Sequence, residues 1–129
     1  MPKKSEILIV DDEPDIRDLI KLELEDHDYM VHQAGNGKEA LSLLLLVKPD
    51  LIVTDVSMPE MDGLTFLRAL CLRDRKLPPI IIMTGKTIQL DKDQNDEKIK
   101  SSLIEIIDKP FLPSTLCLAI EKALAHPKA

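Results

Sequence analysis

The sequence predicts an α/β fold in which helices cover both faces of a doubly wound, five-stranded parallel sheet. Short β-branched apolar runs alternate with stretches whose apolar residues recur at helical spacing, a pattern typical of buried parallel strands joined by helices. Short connections and right-handed crossovers favour the doubly wound topology. A chain of 129 residues also fits one domain with a substantial core. We therefore expect a single domain over residues 1–129, with its core at about 6–124.

Five strands and about five helices are predicted in alternation. The strands are expected at residues 6–10, 30–34, 51–55, 79–84 and 103–107, and the helices at about 14–28, 38–47 and 64–73 and from 113 onwards. Pro14 suits the first turn of the first helix, because its missing N–H has no helical partner there. The core face of that helix is predicted to contain Ile16, Leu19, Ile20 and Leu24.

The same spacing assigns core faces to two later helices. In the third helix the expected core residues are Leu64, Leu67, Ala69 or Leu70, and Cys71. In the last helix they are Leu116, Ile120, Ala123 and Leu124. The second helix follows a Gly-Asn-Gly turn at residues 35–37. It contains an apolar run at 43–47 that either packs against the sheet or pairs with a partner or a second copy.

Residues 86–100 are polar and offer only three apolar side chains, without a usable stripe. A helix in this stretch would have little to bury. We expect a short, frayed or mobile element there.

Composition excludes several classes of function. The net charge of −6 and the pI near 5.0 disfavour binding to nucleic acid or to an anionic membrane. The apolar runs are too short for a membrane span or a secretory signal, so we expect a cytoplasmic protein. Cys71 and Cys117 could pair, but two buried thiols in a reducing compartment are the preferred interpretation.

Polar residues stand at the ends of four predicted strands. Asp11 and Asp12 follow the first strand, Asp55 and Thr84 end the third and fourth, and Lys109 follows the fifth. The carboxyl ends of parallel strands share one edge, where open α/β sheets bind ligands. Oxygen ligands suit Mg²⁺, aspartate can form an aspartyl-phosphate, and lysine and threonine can bind phosphate oxygens. The set therefore predicts a metal-assisted phosphoryl-transfer site.

Each of these residues has a simpler interpretation when taken alone. Asp11 and Asp12 would serve as a helix N-cap with an acidic first turn, and Asp55 would merely begin a loop.

Residues 34–38 lack the full spacing of a nucleotide phosphate loop. The three histidines have no neighbours at metal-ligand spacing and are expected on the surface: His27, His32 and His126.

The motifs in combination resemble the receiver domain of two-component response regulators. The resemblance covers about residues 6–124 and is carried by Val-Asp-Asp-Glu-Pro at 10–14, Asp-Val-Ser-Met-Pro-Glu-Met-Asp-Gly at 55–63, Met-Thr-Gly at 83–85 and Asp-Lys-Pro-Phe at 108–111. It implies a flavodoxin-like (βα)5 fold with strand order 2-1-3-4-5. It also implies a phosphorelay module rather than an enzyme with a separate substrate.

The resemblance implies a role for each site residue. Asp55 would accept the phosphoryl group from a histidine kinase or a phosphotransfer protein. Asp12 would bind Mg²⁺ directly, Asp11 would do so through water, and the Ser57 carbonyl would be a further ligand. Lys109 would hold the phosphoryl group, and Thr84 would move toward it and shift the adjoining loop. The resulting switch would act on an unknown downstream protein.

Three departures from the family pattern bear on the switch. Ile106 stands where the family usually has an aromatic residue, so ring rotation cannot be the relay. Thr84 and Lys109 are separated by a few more positions than usual, and Ser101-Ser102 replaces the common Gly-Ala pair. Ser57 and Lys86 occupy positions that tune the lifetime of the phosphate in the family.

Two alternatives remain open. The first is a pseudo-receiver, a constitutive protein-binding module whose switch is uncoupled; Ile106 and residues 86–100 motivate it. The second is a phosphohydrolase with Asp55 as nucleophile, but position 57 is serine where such an enzyme needs a second aspartate for acid–base catalysis.

Overall fold

The computed structural model describes residues 4–56, 63–74, 76–85 and 94–125. Within these ranges, five strands alternate with five helices. The strands are β1 (Glu6–Val10), β2 (Met30–Ala34), β3 (Leu51–Asp55), β4 (Ile80–Thr84) and β5 (Leu103–Asp108). The helices are α1 (Pro14–Asp26), α2 (Gly37–Leu43), α3 (Gly63–Arg73), α4 (Gln94–Ser102) and α5 (Pro113–Ala125). No described helix is long and apolar enough to cross a membrane.

The strands form one parallel sheet in the order β2-β1-β3-β4-β5, so the predicted fold class and strand order are confirmed. Val10 lies opposite Thr54 in the β1–β3 pair, and Thr84 lies opposite Asp108 in the β4–β5 pair. Consequently Asp11, Asp55 and Lys109 all lie at the same edge of the sheet, at or just beyond the strand ends.

A hydrophobic cluster lies on each face of the sheet. Successive strand residues point to opposite faces, and in β1 Ile7 and Ile9 join the cluster beneath α1 and α5, whereas Leu8 and Val10 join the cluster beneath α2, α3 and α4. The strands β1, β3 and β4 are almost completely buried. This burial fixes the positions of the residues at their carboxyl ends.

The helix boundaries and faces differ from expectation at several points. In α1, Ile20 and Leu24 are buried, but Leu19 is 54% exposed, because the helix turns a narrower face to the sheet than the periodicity suggested. In α3, the buried set includes Phe66, which was not predicted, and Leu70 rather than Ala69. In α5, the predicted residues are buried except Leu124, which is partly buried at the margin of the cluster.

The second helix ends at Leu43, earlier than the predicted residue 47. Turn hydrogen bonds that span three residues, from the amides of Leu45 and Leu46 to the carbonyls of Ser42 and Leu43, replace the four-residue spacing of an α-helix. Leu43 and Leu44 pack against the core, whereas Leu45 is 73% and Leu46 85% exposed. The packing interpretation therefore holds for Leu43 and Leu44, whereas pairing of the exposed leucines with a partner or a second copy stays a prediction.

The helix α4 confirms that a short element occupies part of residues 86–100. Eight of its nine residues are polar, and the ninth, Ile99, is buried in the core cluster beneath α3. The rest of that stretch, residues 86–93, lies outside the described residues. Cys71 and Cys117 are both buried thiols, in clusters on opposite faces of the sheet, so they do not form a disulfide with each other.

Candidate functional site

A lysine and two buried aspartates form the centre of the site. Lys109 Nζ lies 2.8 Å from Asp11 Oδ2 and 2.9 Å from Asp55 Oδ2. Asp11 is fully buried and Asp55 is 5% exposed. Each comes from a different strand end, so the arrangement depends on the strand order and not on neighbours in the sequence.

The charge of Lys109 is stabilised by the two carboxylates. Partial burial acts to lower the pKa of the ammonium group, but its hydrogen bonds to Asp11 and Asp55, together with their negative charges, outweigh this effect and raise the pKa. Glu13 adds a third carboxylate 3.6 Å away. Lys109 is therefore positively charged at neutral pH and partly neutralises a strongly acidic cluster.

The backbone around Asp11 holds its side chain in place. Asp11 Oδ1 accepts a hydrogen bond of 2.9 Å from the Glu13 amide, and the Asp11 amide donates to the Ala34 carbonyl. The N-cap of α1 is Glu13, which makes no capping bond with its side chain. The N-cap interpretation of Asp11 and Asp12 is therefore wrong, because Asp11 faces Lys109 instead.

Three carboxylates at this edge could hold a cation. Oxygen atoms of Asp11, Asp12 and Asp55 all lie within 4.8 Å of one another. A donor set made only of oxygen fits a hard cation such as Mg²⁺, which binds through one or two carboxylates and keeps several waters. Asp12 is not buried, so a partly hydrated ion would have access from solvent.

The hydroxyl residue of the predicted set lies on the neighbouring strand. Thr84 is 2% exposed, and its carbonyl accepts a hydrogen bond of 2.9 Å from the Lys109 amide. This bond ties the end of β4 to the start of the β5–α5 connection. Ser57 and Lys86 lie outside the described residues.

Two residues that support the site were not singled out from the sequence. A Cβ atom on Gly63 would lie 2.0 Å from the Asp55 carbonyl oxygen and 3.1 Å from Val56 Cα, so only glycine allows α3 to begin this close to β3. The other is Arg17, whose guanidinium donates a 2.6 Å hydrogen bond to the Asp11 carbonyl. The Asp-Gly pair at 62–63 was a signal for Gly63, whereas nothing in the amphipathic pattern of α1 distinguished Arg17.

The doubly wound sheet and the acidic edge with its lysine define a class of signalling domain, the receivers of two-component systems. The family model for the response regulator receiver domain matches residues 7–121. The chain belongs to the response regulator receiver family.

Among curated proteins, the chain is 38% identical over 120 residues to the transcriptional regulatory protein SrrA of Staphylococcus aureus. The match covers 93% of this chain but 48% of SrrA, so the chain spans about half the length of the curated relatives that it matches.

Solved structures show the same fold. The chemotaxis response regulator CheY4 of Vibrio cholerae is 30% identical with a TM-score of 0.78, covering 93% of this chain and 98% of CheY4. A CheY-like receiver domain protein from Methanospirillum hungatei is 26% identical with a TM-score of 0.79, covering 95% of each chain. The receiver domain of a histidine kinase from Syntrophus aciditrophicus is 33% identical with a TM-score of 0.72, covering 94% of this chain and 90% of that one.

Proposed function

We propose that this receiver domain accepts a phosphoryl group on Asp55 from a phosphohistidine donor, in a reaction that requires Mg²⁺. The observation that carries the proposal is the contact of Lys109 with both Asp11 and Asp55 at one edge of the sheet. Phosphoryl transfer depends mainly on positioning and on neutralising charge. This edge supplies the Asp55 carboxylate as nucleophile, the ammonium group of Lys109 as a positive charge, and a set of oxygen ligands for a metal ion.

Each site residue has a role in the proposed reaction. A carboxylate oxygen of Asp55 forms the new bond to phosphorus while the bond from phosphorus to the donor's imidazole nitrogen breaks. Asp11, Asp12, Asp55 and the Ser57 carbonyl would hold Mg²⁺, which when bound neutralises negative charge on the phosphoryl oxygens. Lys109 would exchange its contact with the Asp55 carboxylate for a phosphoryl oxygen.

The output of the reaction is a change in a protein-binding surface. Thr84 is buried at the end of β4, and we propose that its hydroxyl donates to the phosphoryl group and shifts the loop that follows. On β5, Ile106 is 46% exposed at the position where the family usually has an aromatic switch. The coupling from Thr84 to the surface would therefore rest on backbone movement, including the Lys109–Thr84 hydrogen bond.

The proposed partners are proteins. A histidine kinase or phosphotransfer protein would donate the phosphoryl group, and a further protein would bind the switched surface of this cytoplasmic domain, which we take to extend over residues 1–129. The net charge of −6 disfavours contact with nucleic acid or an anionic membrane. The name of SrrA refers to transcription, but the shared segment covers 48% of that protein, so the name does not assign DNA contact to this segment.

The proposal is tested by incubating the protein with acetyl phosphate, with and without Mg²⁺, and measuring the intact mass. We expect one phosphoryl adduct on the wild-type protein, only with Mg²⁺, and none on Asp55→Asn. Asp18→Asn, which changes an exposed aspartate of α1, is the matched control and should be labelled like the wild type. Labelling of Asp55→Asn, or labelling of the wild type that does not depend on Mg²⁺, would refute the proposed chemistry.

The same sample separates the switch from a constitutive binding module. Hydrogen exchange of the backbone amides is compared before and after adding a beryllofluoride mimic. Slower or faster exchange around Thr84 and along α4 or β5 supports the switch. An adduct with unchanged exchange would instead support the pseudo-receiver.

A further inference from the structure

A second group of metal-ligating side chains lies between α1 and α5, away from the acidic edge. An oxygen of Glu23, a ring nitrogen of His27 and the Sγ of Cys117 all lie within 4.8 Å of one another. This group was not predictable from sequence spacing, because His27 and Cys117 are 90 positions apart. The expectation that His27 has no metal-ligand neighbours is therefore wrong.

The group is built on a rigid scaffold. The helices α1 and α5 lie on the same face of the sheet, where Leu24 and Ile120 belong to one buried cluster. Glu23 and His27 are four residues apart, and such residues share one face of a helix. Cys117 is 2% exposed, whereas the side chain of His27 is 42% exposed, so the group has a buried end and an open end through which an ion can enter.

A fourth ligand is available on α5. Glu121 follows Cys117 by one helical turn, and its Oε1 lies 3.9 Å from Cys117 Sγ. Two pairs of donors at a spacing of four residues therefore face each other: Glu23 of α1 with His27, the C-cap of that helix, and Cys117 with Glu121 of α5. Two helices that each offer a pair of this kind can surround an ion with four ligands.

The imidazole of His27 is held through its Nδ1, which also lies 3.5 Å from Glu23 Oε2. Its Nδ1 lies 2.9 Å from the backbone carbonyl of Glu23 and must donate, because a carbonyl oxygen can only accept. In the neutral ring this leaves the lone pair on Nε2. A metal-bound histidine almost always donates its other ring N–H to a carbonyl or a carboxylate, which fixes the tautomer and the ring orientation.

We propose that Glu23, His27 and Cys117, with Glu121 as fourth ligand, bind a transition-metal ion, and that Zn²⁺ is the preferred ion. Thiolate and imidazole ligands select Zn²⁺ over Mg²⁺ or Ca²⁺. Bond lengths of about 2.0–2.3 Å to a tetrahedral Zn²⁺ need ligand atoms somewhat closer than the present 4.8 Å limit. Side-chain rotation at the exposed end, at His27 and Glu121, closes the site around the ion.

Binding includes one proton transfer. Burial, followed by the charges of Glu121 and Glu23, raises the pKa of the Cys117 thiol to about 11, so the thiol is protonated when no metal is bound. On binding, the S–H bond breaks, the proton leaves to the buffer, and the sulfur electron pair forms the bond to the metal. The two carboxylates that oppose the thiolate then become ligands to the same cation.

The proposal is tested with Co²⁺ and Zn²⁺ added to protein that has been stripped of transition metals with a chelator and then saturated with Mg²⁺, so that the acidic edge does not compete. We expect one equivalent of Co²⁺ to produce a thiolate-to-cobalt charge-transfer absorption, and Zn²⁺ to abolish it. Cys117→Ser should remove the absorption, whereas the matched control Cys71→Ser, at a buried cysteine on the opposite face, should keep it.

Variants at the open end keep the test valid if Cys117→Ser does not fold. His27→Ala alters an exposed side chain and should weaken Zn²⁺ binding by more than the roughly 10–100-fold that loss of an outer-shell partner costs. Glu23→Gln should weaken it in the same direction. Zn²⁺ should also raise the melting temperature of the wild type by mass action and leave that of His27→Ala nearly unchanged.

Three outcomes would overturn the proposal. The first is the absence of a charge-transfer absorption in the wild type. The second is an absorption that survives in Cys117→Ser and disappears in Cys71→Ser. The third is cobalt binding that Asp12→Asn abolishes while His27→Ala does not. The last result would mean that the ion binds only at the acidic edge.

Discussion

Replacing the carboxylate of Asp12 with a neutral amide should stabilise the metal-free protein more than the same replacement at Asp55. The site brings carboxylate oxygens of Asp11, Asp12 and Asp55 within 4.8 Å of one another. At an effective dielectric constant of about 20, two charges at that distance repel by about 3.5 kcal/mol. Within the described part of the chain, the ion pairs of Lys109 involve Asp11, Glu13 and Asp55 but not Asp12.

The two substitutions therefore remove different sums of interactions. Asp55→Asn removes two repulsions but also loses the contact with Lys109 at 2.9 Å, whose attraction is about 6 kcal/mol on the same scale. These contributions nearly cancel. Asp12→Asn removes repulsion without losing such a contact, and because Asp12 is not buried, screening reduces the expected gain in the free energy of unfolding to about 1–2 kcal/mol.

The assay is thermal unfolding followed by circular dichroism, first in EDTA and then in Mg²⁺. For a chain of this size we expect Asp12→Asn to melt about 5 °C above the wild type in EDTA, and Asp55→Asn to melt within about 3 °C of it. Mg²⁺ should then stabilise the wild type more than either variant, because each variant lacks a ligand. Asp18→Asn is the control for a general loss of negative charge.

The charge argument would be refuted if, in EDTA, Asp12→Asn melted at or below the wild-type temperature. A larger rise for Asp55→Asn than for Asp12→Asn would also contradict it. Equal responses of all three proteins to Mg²⁺ would count against a shared metal site.

Three further predictions concern packing, charge and thiol reactivity. Gly63→Ala should lower the free energy of unfolding, measured in urea, by about 1–3 kcal/mol, because the new Cβ would lie 2.0 Å from the Asp55 carbonyl oxygen. The control Gly85→Ala should be close to neutral, because a Cβ there meets nothing within 4 Å. Equal effects of the two substitutions would contradict the packing argument. Lys109→Met should destabilise the protein in EDTA by about 1–3 kcal/mol, since it takes the shared positive charge away from two buried carboxylates. Adding Asp55→Asn in the same chain should restore part of the loss, and no recovery in urea unfolding would show that the lysine acts through packing alone. The variant Cys71→Ser leaves Cys117 as the one cysteine of the chain. Without added metal, Cys117 should react with a disulfide reagent at pH 8 at least about 100-fold more slowly in the folded than in the unfolded chain, because burial raises its pKa to about 11 and the thiolate is the reactive form. Comparable rates in the two states would contradict the burial of Cys117.

Much of the fold could be predicted because its signals are local. The strand bounds at residues 6–10, 30–34 and 51–55 agree with the structure. The first and third of these strands are buried, short β-branched runs, whereas the strand at 30–34 carries a weaker signal and is mostly only partly buried. The strand order came from the resemblance to receivers rather than from periodicity. The buried faces of the helices were predicted less accurately, as the exposure of Leu19 and the burial of Phe66 show. A small rotation of a helix about its axis changes which side chains reach the core.

The acidic edge was predictable because parallel strands end together. That rule placed Asp11, Asp55 and Lys109 at one edge without knowledge of their contacts. The rule carries no information on how closely a helix approaches a strand, so it did not indicate the 2.0 Å constraint at Gly63. It also says nothing about pairs of helices, and the group formed by His27 and Cys117 depends on how α1 packs beside α5.

The most direct test of the account locates the phosphoryl group on the chain. The protein is treated with acetyl phosphate and Mg²⁺, reduced with borohydride, which converts an aspartyl-phosphate into homoserine, and digested for peptide mass mapping. We predict homoserine at position 55 and at no other aspartate. Homoserine at Asp11 or Asp12, or none in protein that has bound Mg²⁺, would contradict the assignment of Asp55 as the phosphoacceptor.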